Sequence, residues 1–203
     1  MPPDAHHAKL DDSPRGRLIQ AATELFCQRG FNAVGVDAVV ELAGTAKTTL
    51  YKVFGSKEQL VEAVLDSQGE AWRDWFIGAI RATGDSPRAR LLAIFPVLRQ
   101  WFRQKRFYGC PFINAVAEHD KTSDRLRQLA LRHKLQVLAF IRDVAVEAGV
   151  AEPDRLTHEI ALLIDGAIVA AMITKDPGVA DVAQKALTTL LDDQLRGVAP
   201  ALS

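Results

Sequence analysis

The chain is poor in cysteine, tyrosine and methionine, with two of each in 203 residues. Cys27 and Cys110 lie far apart and form no CxxC or Cys/His pattern. That excludes a disulfide framework and a structural zinc site, and it suits a reducing, cytoplasmic setting. Net charge is also lacking, because 25 basic residues balance 25 acidic ones. A tail-driven nucleic-acid binder would be strongly basic, and an acidic solvating protein strongly negative. The most apolar run, IALLIDGAIVAAMI at 160–173, contains Asp165 and is shorter than the ~20 residues a bilayer span needs, so no membrane partner is expected. The opening MPPDAHHAKLDDSP has no apolar core, so it is not expected to act as a signal peptide, and residues 1–12 are expected to form a disordered tail. No segment alternates with period two for long enough to suggest a strand.

What is present is ordinary for a folded protein: 48% hydrophobic and 25% charged residues, with helical punctuation throughout. Ser13-Pro14 reads as an N-cap and first helical residue, and Leu18, Ile19, Ala22, Leu25 and Phe26 then fall on one face up to Gly30. A short helix with Val36, Val39, Val40 and Ala43 inward ends at Gly44, and another runs from Thr45 or Ala46 to about Phe54. Gly55 breaks it, and Ser56-Lys57-Glu58-Gln59 opens a helix to about Ala82. Further helices are expected from Ser86-Pro87 to about Phe102, from near Phe112, from Asp124 to Ala148, from Leu156 to Thr174 and from Val179 to Leu195. The fold class expected is all-α, with a small three-helix head and a larger helical body.

Two short helices joined through Ala43-Gly44-Thr45 have the form of a helix-turn-helix. In the second, Leu50 and Phe54 are spaced for the core, which leaves Lys47, Thr48, Thr49, Tyr51 and Lys52 outward. Those groups suit base edges and phosphates.

The run from Ile19 to Leu65, with AATELF, RGF, AG, LY-x-x-F and SKEQL in order, resembles the DNA-binding domain of TetR-family transcriptional regulators. The resemblance implies a DNA-binding head over 13–57, a ligand-binding and dimerisation body over 58–203, and a homodimer. It places Lys47, Thr48 and Thr49 in the first half of the recognition helix, with Tyr51 and Lys52 at contact positions. Lys57 matches the lysine that opens the fourth helix, where an ammonium and free backbone N–H groups favour a phosphate. Two hydroxyls usual in the family are missing: Val34-Gly35 precede the second helix and Ala46 the third. Thr45 is expected to stand in at the latter.

Nine of the fourteen aromatic residues lie between 72 and 112. Because small-molecule sites are commonly lined with aromatics and a few oriented polar groups, the expected effector site draws on Trp72, Phe76, Phe95, Trp101 and Phe112. Asn114 and Glu118, four apart in GCPFINAVAEHD, join them as polar candidates. The plain alternative has Asn114 capping a helix and Glu118 pairing with Arg99 or Arg103. The stripe Val179, Val182, Ala183, Ala186, Leu187, Leu190 and Leu191, with the small-residue-rich run 160–173, suggests a homodimer through 156–174 and 179–195. No cofactor and no metal is expected.

The function expected is a ligand-responsive repressor that binds a palindromic operator as a dimer and is released by a small molecule. One alternative is a helical small-molecule-binding protein without specific DNA recognition. A weaker one is an enzyme or redox sensor built on Cys110, with His119 as base; it lacks an orienting third group and an oxyanion loop.

Overall fold

A computed structural model describes residues 11–84, 86–119 and 124–196, so the expected tail lies mostly outside the described residues. These residues form ten helices and no strand: α1 (Pro14–Arg29), α2 (Val36–Ala43), α3 (Lys47–Phe54), α4 (Lys57–Arg81), α5 (Pro87–Leu92), α6 (Ile94–Phe102), α7 (Pro111–Glu118), α8 (Arg125–Glu147), α9 (Pro153–Thr174) and α10 (Val179–Arg196).

Local chemistry sets most boundaries. The Ser13 hydroxyl accepts from the Gly16 N–H at 3.0 Å and Pro14 follows at a position needing no donor. Gly44 ends α2 in the left-handed region at φ 59°, open to glycine without steric cost. Ser56 receives the Gln59 N–H at 3.2 Å and so caps α4. The helix expected from Pro87 to Phe102 divides at Ala93. Pro96 explains the break: it has no N–H to give the Leu92 carbonyl, and its ring presses on that oxygen. Conversely, α9 starts at Pro153, three residues before the expected Leu156, because proline is favoured in a first turn.

The chain packs into two compact units, and they divide it differently from a boundary at residue 57. The first takes in, among the described residues, 11–72, 110–119 and 124–133. Its core joins Leu18, Leu25, Phe26, Val39, Leu50 and Phe54 of the first three helices to Leu60, Val61, Val64 and Leu65 of α4. Phe112 and Ala115 of α7 and Leu126 and Leu129 of α8 complete that core. The three short helices have too little apolar surface to close a core alone, so later segments supply the rest.

The second unit comprises, among the described residues, 73–84, 86–109 and 134–196. Here α10 packs on α9 and α6, with Leu187 and Leu191 fully buried. Trp101, Phe102 and Phe107 form a ring cluster with centroids 5.0–6.0 Å apart. The apolar run 160–173 belongs to a helix of 22 residues whose most apolar 18-residue stretch has mean hydropathy 1.7, enough by length and composition alone to cross a bilayer. One face of this helix packs into the unit, with Leu156, Ile160, Ile164, Ala167, Ile168 and Ala171 buried, and Asp165 within the apolar run pairs with Lys134 of α8.

Candidate nucleic-acid interface

The first three helices are held by a small set of directional contacts. α1 packs on α2 and α3. The Arg17 guanidinium donates Nε–H to the Ala43 carbonyl at 3.2 Å and Nη1–H to the Asp12 carbonyl at 2.6 Å. One α1 side chain therefore satisfies a last-turn carbonyl of α2 and is committed to the fold. Arg15 lies over the Phe54 ring, 5.7 Å from its centroid.

With Leu50 fully buried and Phe54 8% exposed, the orientation of α3 is fixed about its axis. That leaves Lys47, Thr48, Tyr51 and Lys52 exposed, Thr49 half-buried at the edge and Val53 exposed beside them. Tyr51 keeps 46% of its surface, an uncommon state for an aromatic with no partner to bury it. Lys57 is half-buried at the first position of α4. The helix thus brings Lys47, Thr48, Tyr51 and Lys52 onto one solvent face; Lys57 stands on the following helix.

Two further features of this surface were not legible beforehand. Lys47 is held by Asp37 of α2, with Nζ 2.8 Å from Oδ1. The hydrogen bond to Asp37, reinforced by its charge, raises the Lys47 pKa above the ordinary lysine value. The start of α3 also differs from expectation. Ala46 is its N-cap and offers no side-chain acceptor, while the Thr45 hydroxyl is buried without a hydrogen bond and does not stand in for the missing serine. Gly35 likewise caps α2 without a side-chain bond.

The residues expected at an effector site are distributed over both units. In the first unit Trp72 and Phe112 are buried, and Phe112 stacks on the His133 ring at 4.1 Å and 10°. Trp72 meets the same imidazole edge-on at 5.8 Å. Asn114 is half-buried on α7. In the second unit Phe76, Phe95 and Trp101 are fully buried.

Glu118 requires correction. Its carboxylate neither faces outward as a ligand group nor pairs with an arginine. Oε2 accepts the N–H of Phe31 at 2.6 Å and of Asn32 at 3.1 Å, and the Glu118 carbonyl accepts from Asn32 Nδ2 at 2.6 Å. Gly30, at φ 87°, makes room for this: a Cβ there would lie 2.9 Å from Oε2. Arg99 pairs with Asp181 instead. The Cys110–His119 dyad also fails on geometry, because these residues cap opposite ends of α7. At 1.5 Å per residue they stand roughly 13 Å apart, beyond proton-transfer reach.

Comparison with known proteins gives two family matches: the bacterial regulatory proteins of the tetR family over residues 18–64, and the tetracyclin repressor-like C-terminal domain over 87–187. A solved structure of a TetR-type transcriptional regulator from Streptomyces avermitilis is 32% identical, with TM-score 0.75, covering 90% of this chain and 98% of that one. Two Mycolicibacterium smegmatis proteins match over shorter stretches. The transcriptional activator FasR is 40% identical over 82 residues, 40% of this chain and 37% of its own. The transcriptional repressor KstR2 is 37% identical over 86 residues, 41% of this chain and 40% of its own. The chain therefore spans well under half the length of these two relatives.

Proposed function

Since the chain belongs to the TetR family of bacterial transcriptional regulators, with a DNA-binding helix-turn-helix head and a ligand-binding C-terminal body, we propose that it is a dimeric repressor released from a palindromic operator by a small molecule. The observation that carries this reading is the outward face of α3, where Lys47, Thr48, Tyr51 and Lys52 are exposed while Leu50 and Phe54 anchor the helix. Lysine reads guanine O6 and N7 or a phosphate, threonine either base edge or phosphate, and an exposed tyrosine a phosphate or a thymine methyl. Thr49 lies at the margin of the contact, and Lys57 adds a cation beside the first-turn N–H groups of α4.

A second copy of the chain would cover α9 and α10. On α9 Leu162 and Ile173 are 73% and 71% exposed, and they share a face with Gly166 and Val169; on α10 Val182 is 71% exposed. A face of this kind loses free energy in water unless it is covered, and Gly166 lets a partner helix approach closely. Effector contacts are assigned to the buried aromatics of each unit, Trp72 and Phe112 with Asn114 in the first and Phe76, Phe95 and Trp101 in the second. Ligand binding shifts the dimer toward a head spacing that no longer fits the operator, and DNA weakens ligand binding by the same factor. Repression is preferred over activation because it needs only occupancy of the operator, although FasR is named an activator and KstR2 a repressor.

The test is selection of bound sequences from random duplex DNA by the purified protein. The expected product is a palindrome whose half-sites lie about 10 base pairs apart, or a multiple of that. Lys47→Ala and Tyr51→Ala should each weaken binding to it by roughly tenfold or more, the scale of one lost base or phosphate contact. Failure of any sequence to enrich would overturn the reading.

A further inference from the structure

Glu118 stands where helix electrostatics disfavours it. It is the last residue of α7, and its carboxylate lies against Gly30, the C-cap of α1. The carbonyl ends of two helix dipoles therefore meet a negative charge, where a cation would be stabilising. What the carboxylate supplies is geometry. Oε2 accepts the Phe31 and Asn32 N–H groups, and the residue 118 carbonyl accepts from Asn32 Nδ2. Bonds to a charged acceptor are stronger than those to a neutral one. The turn gripped in this way leads directly into α2, which starts at Val36.

That turn supports the surface read as meeting DNA. Gly35 caps α2 without a side-chain bond, so no local cap fixes where the helix begins. The far end of α2 is held by Arg17, whose Nε–H reaches the Ala43 carbonyl at 3.2 Å. A tight turn joins α2 to α3, with the Gly44 N–H on the Glu41 carbonyl at 3.2 Å and the Thr45 N–H on the Val40 carbonyl at 3.0 Å. The two helices are thus coupled. Val34, Val39 and Val40 are buried beneath them, but burial is non-directional. Directional restraint on α2 comes from Arg17 at its end and from Glu118 ahead of its start.

We propose that Glu118 is a positioning residue for DNA recognition: from 87 positions along the chain it holds the α1–α2 turn and so presets how α2 and α3 meet the duplex. In a helix-turn-helix the first helix crosses the phosphate backbone and the second enters the major groove, so a shift at the start of α2 misplaces both. The proposal rests on the reading of α3 as the helix that enters the groove. A head that must first find its docking arrangement binds more weakly, by the fraction of time it holds that arrangement. If each unclamped head holds it about a third of the time, a dimer that needs both loses roughly tenfold. This sign is opposite to that of charge alone, because deleting an acid beside DNA tightens binding.

The experiment titrates the full-length protein against the palindrome recovered by selection, well below the unfolding temperature and over a range of salt. Glu118→Ala should weaken binding about tenfold and leave the salt slope unchanged, since no phosphate contact is lost. Glu118→Gln keeps one acceptor at the same reach and should recover to within about threefold of the original affinity. Leu126→Ala opens a cavity in the same core from α8 and lowers Tm without touching the turn, so it should leave affinity nearly unchanged. Lys47→Ala, in contrast, should weaken binding and also lower the salt slope by about 0.9 per head.

Unchanged or tighter binding by Glu118→Ala overturns the proposal; tighter binding would make Glu118 a repulsive charge. Equal weakening by Leu126→Ala also overturns it, since general loosening of the unit would then be the cause. If Lys47→Ala and Tyr51→Ala leave binding intact, the reading of α3 falls and the proposal with it; if they weaken binding and Glu118→Ala does not, the proposal alone falls.

Discussion

Removing the Glu118 carboxylate tests how the first unit is assembled. The side chain of residue 118 holds the turn that follows α1, through bonds of 2.6 Å to the Phe31 N–H and 3.1 Å to the Asn32 N–H. A hydrogen bond to a charged group contributes about 1.5–3 kcal/mol when sheltered from water. The Phe31 bond is partly buried and takes the middle of that range, while the Asn32 bond is at the surface and adds less. Glu118→Ala should therefore cost about 3 kcal/mol, a large share of the ~5–15 kcal/mol by which a domain is stable. In a chain of this size that corresponds to a fall in Tm on the order of 10 °C. Scanning calorimetry at fixed protein concentration measures it, since a dimer's Tm depends on concentration. Hydrogen exchange should show faster turnover at the Phe31 and Asn32 amides specifically, while Asn32 Nδ2 keeps its bond to the residue 118 carbonyl. Glu118→Gln keeps one acceptor and should recover about half of the loss. A Tm unchanged within about 1 °C, with both amides still protected, would refute the assignment and return Glu118 to the ligand-facing role the sequence suggested.

Three further outcomes are expected. Leu162→Glu combined with Ile173→Glu should leave the protomer folded, since both positions are more than 70% exposed, but should abolish dimers in sedimentation experiments; an intact dimer would place the interface elsewhere. Ser56→Ala should cost about 1 kcal/mol through loss of the α4 cap, measured by urea unfolding. Glu58 bonds its own backbone N–H and then Ser56, which lowers its pKa below the ordinary value of 4.5. A folded-state pKa below the unfolded one stabilises above the unfolded value and is lost as pH falls through the folded one. Glu58→Gln should therefore lower stability slightly at pH 7 and have no effect near pH 2, the contribution being small for so exposed a group.

Helix ends written in local chemistry were legible in the sequence. Ser13-Pro14, Gly30, Gly44, Gly55 and Ser56 each act through bonds within a few residues, so their order gave α1 to α4. The break at Ala93 was equally present, as Pro96, but apolar spacing continued across it and concealed the missing N–H. Position on α3 followed from Leu50 and Phe54, which turn the helix by their need for burial. The partners of Glu118 were not readable, because the acceptor of a backbone N–H leaves no mark at residues 31 and 32 and lies more than eighty positions away. Asp37 and Lys47 could be paired only once the angle between α2 and α3 was known.

The dependence of α1 to α3 on residues 110–133 has a practical consequence for anyone dissecting or recombining such regulators. A fragment ending at residue 57 would keep the recognition helix but lose Phe112, Ala115, Leu126 and Leu129 from its core and the acceptor for the Phe31 and Asn32 amides. Grafting those first 57 residues onto another body would likewise import a reader that expects a foreign helix beneath it. For this protein the exchangeable module is discontinuous, so a working chimaera must carry two segments of the chain together.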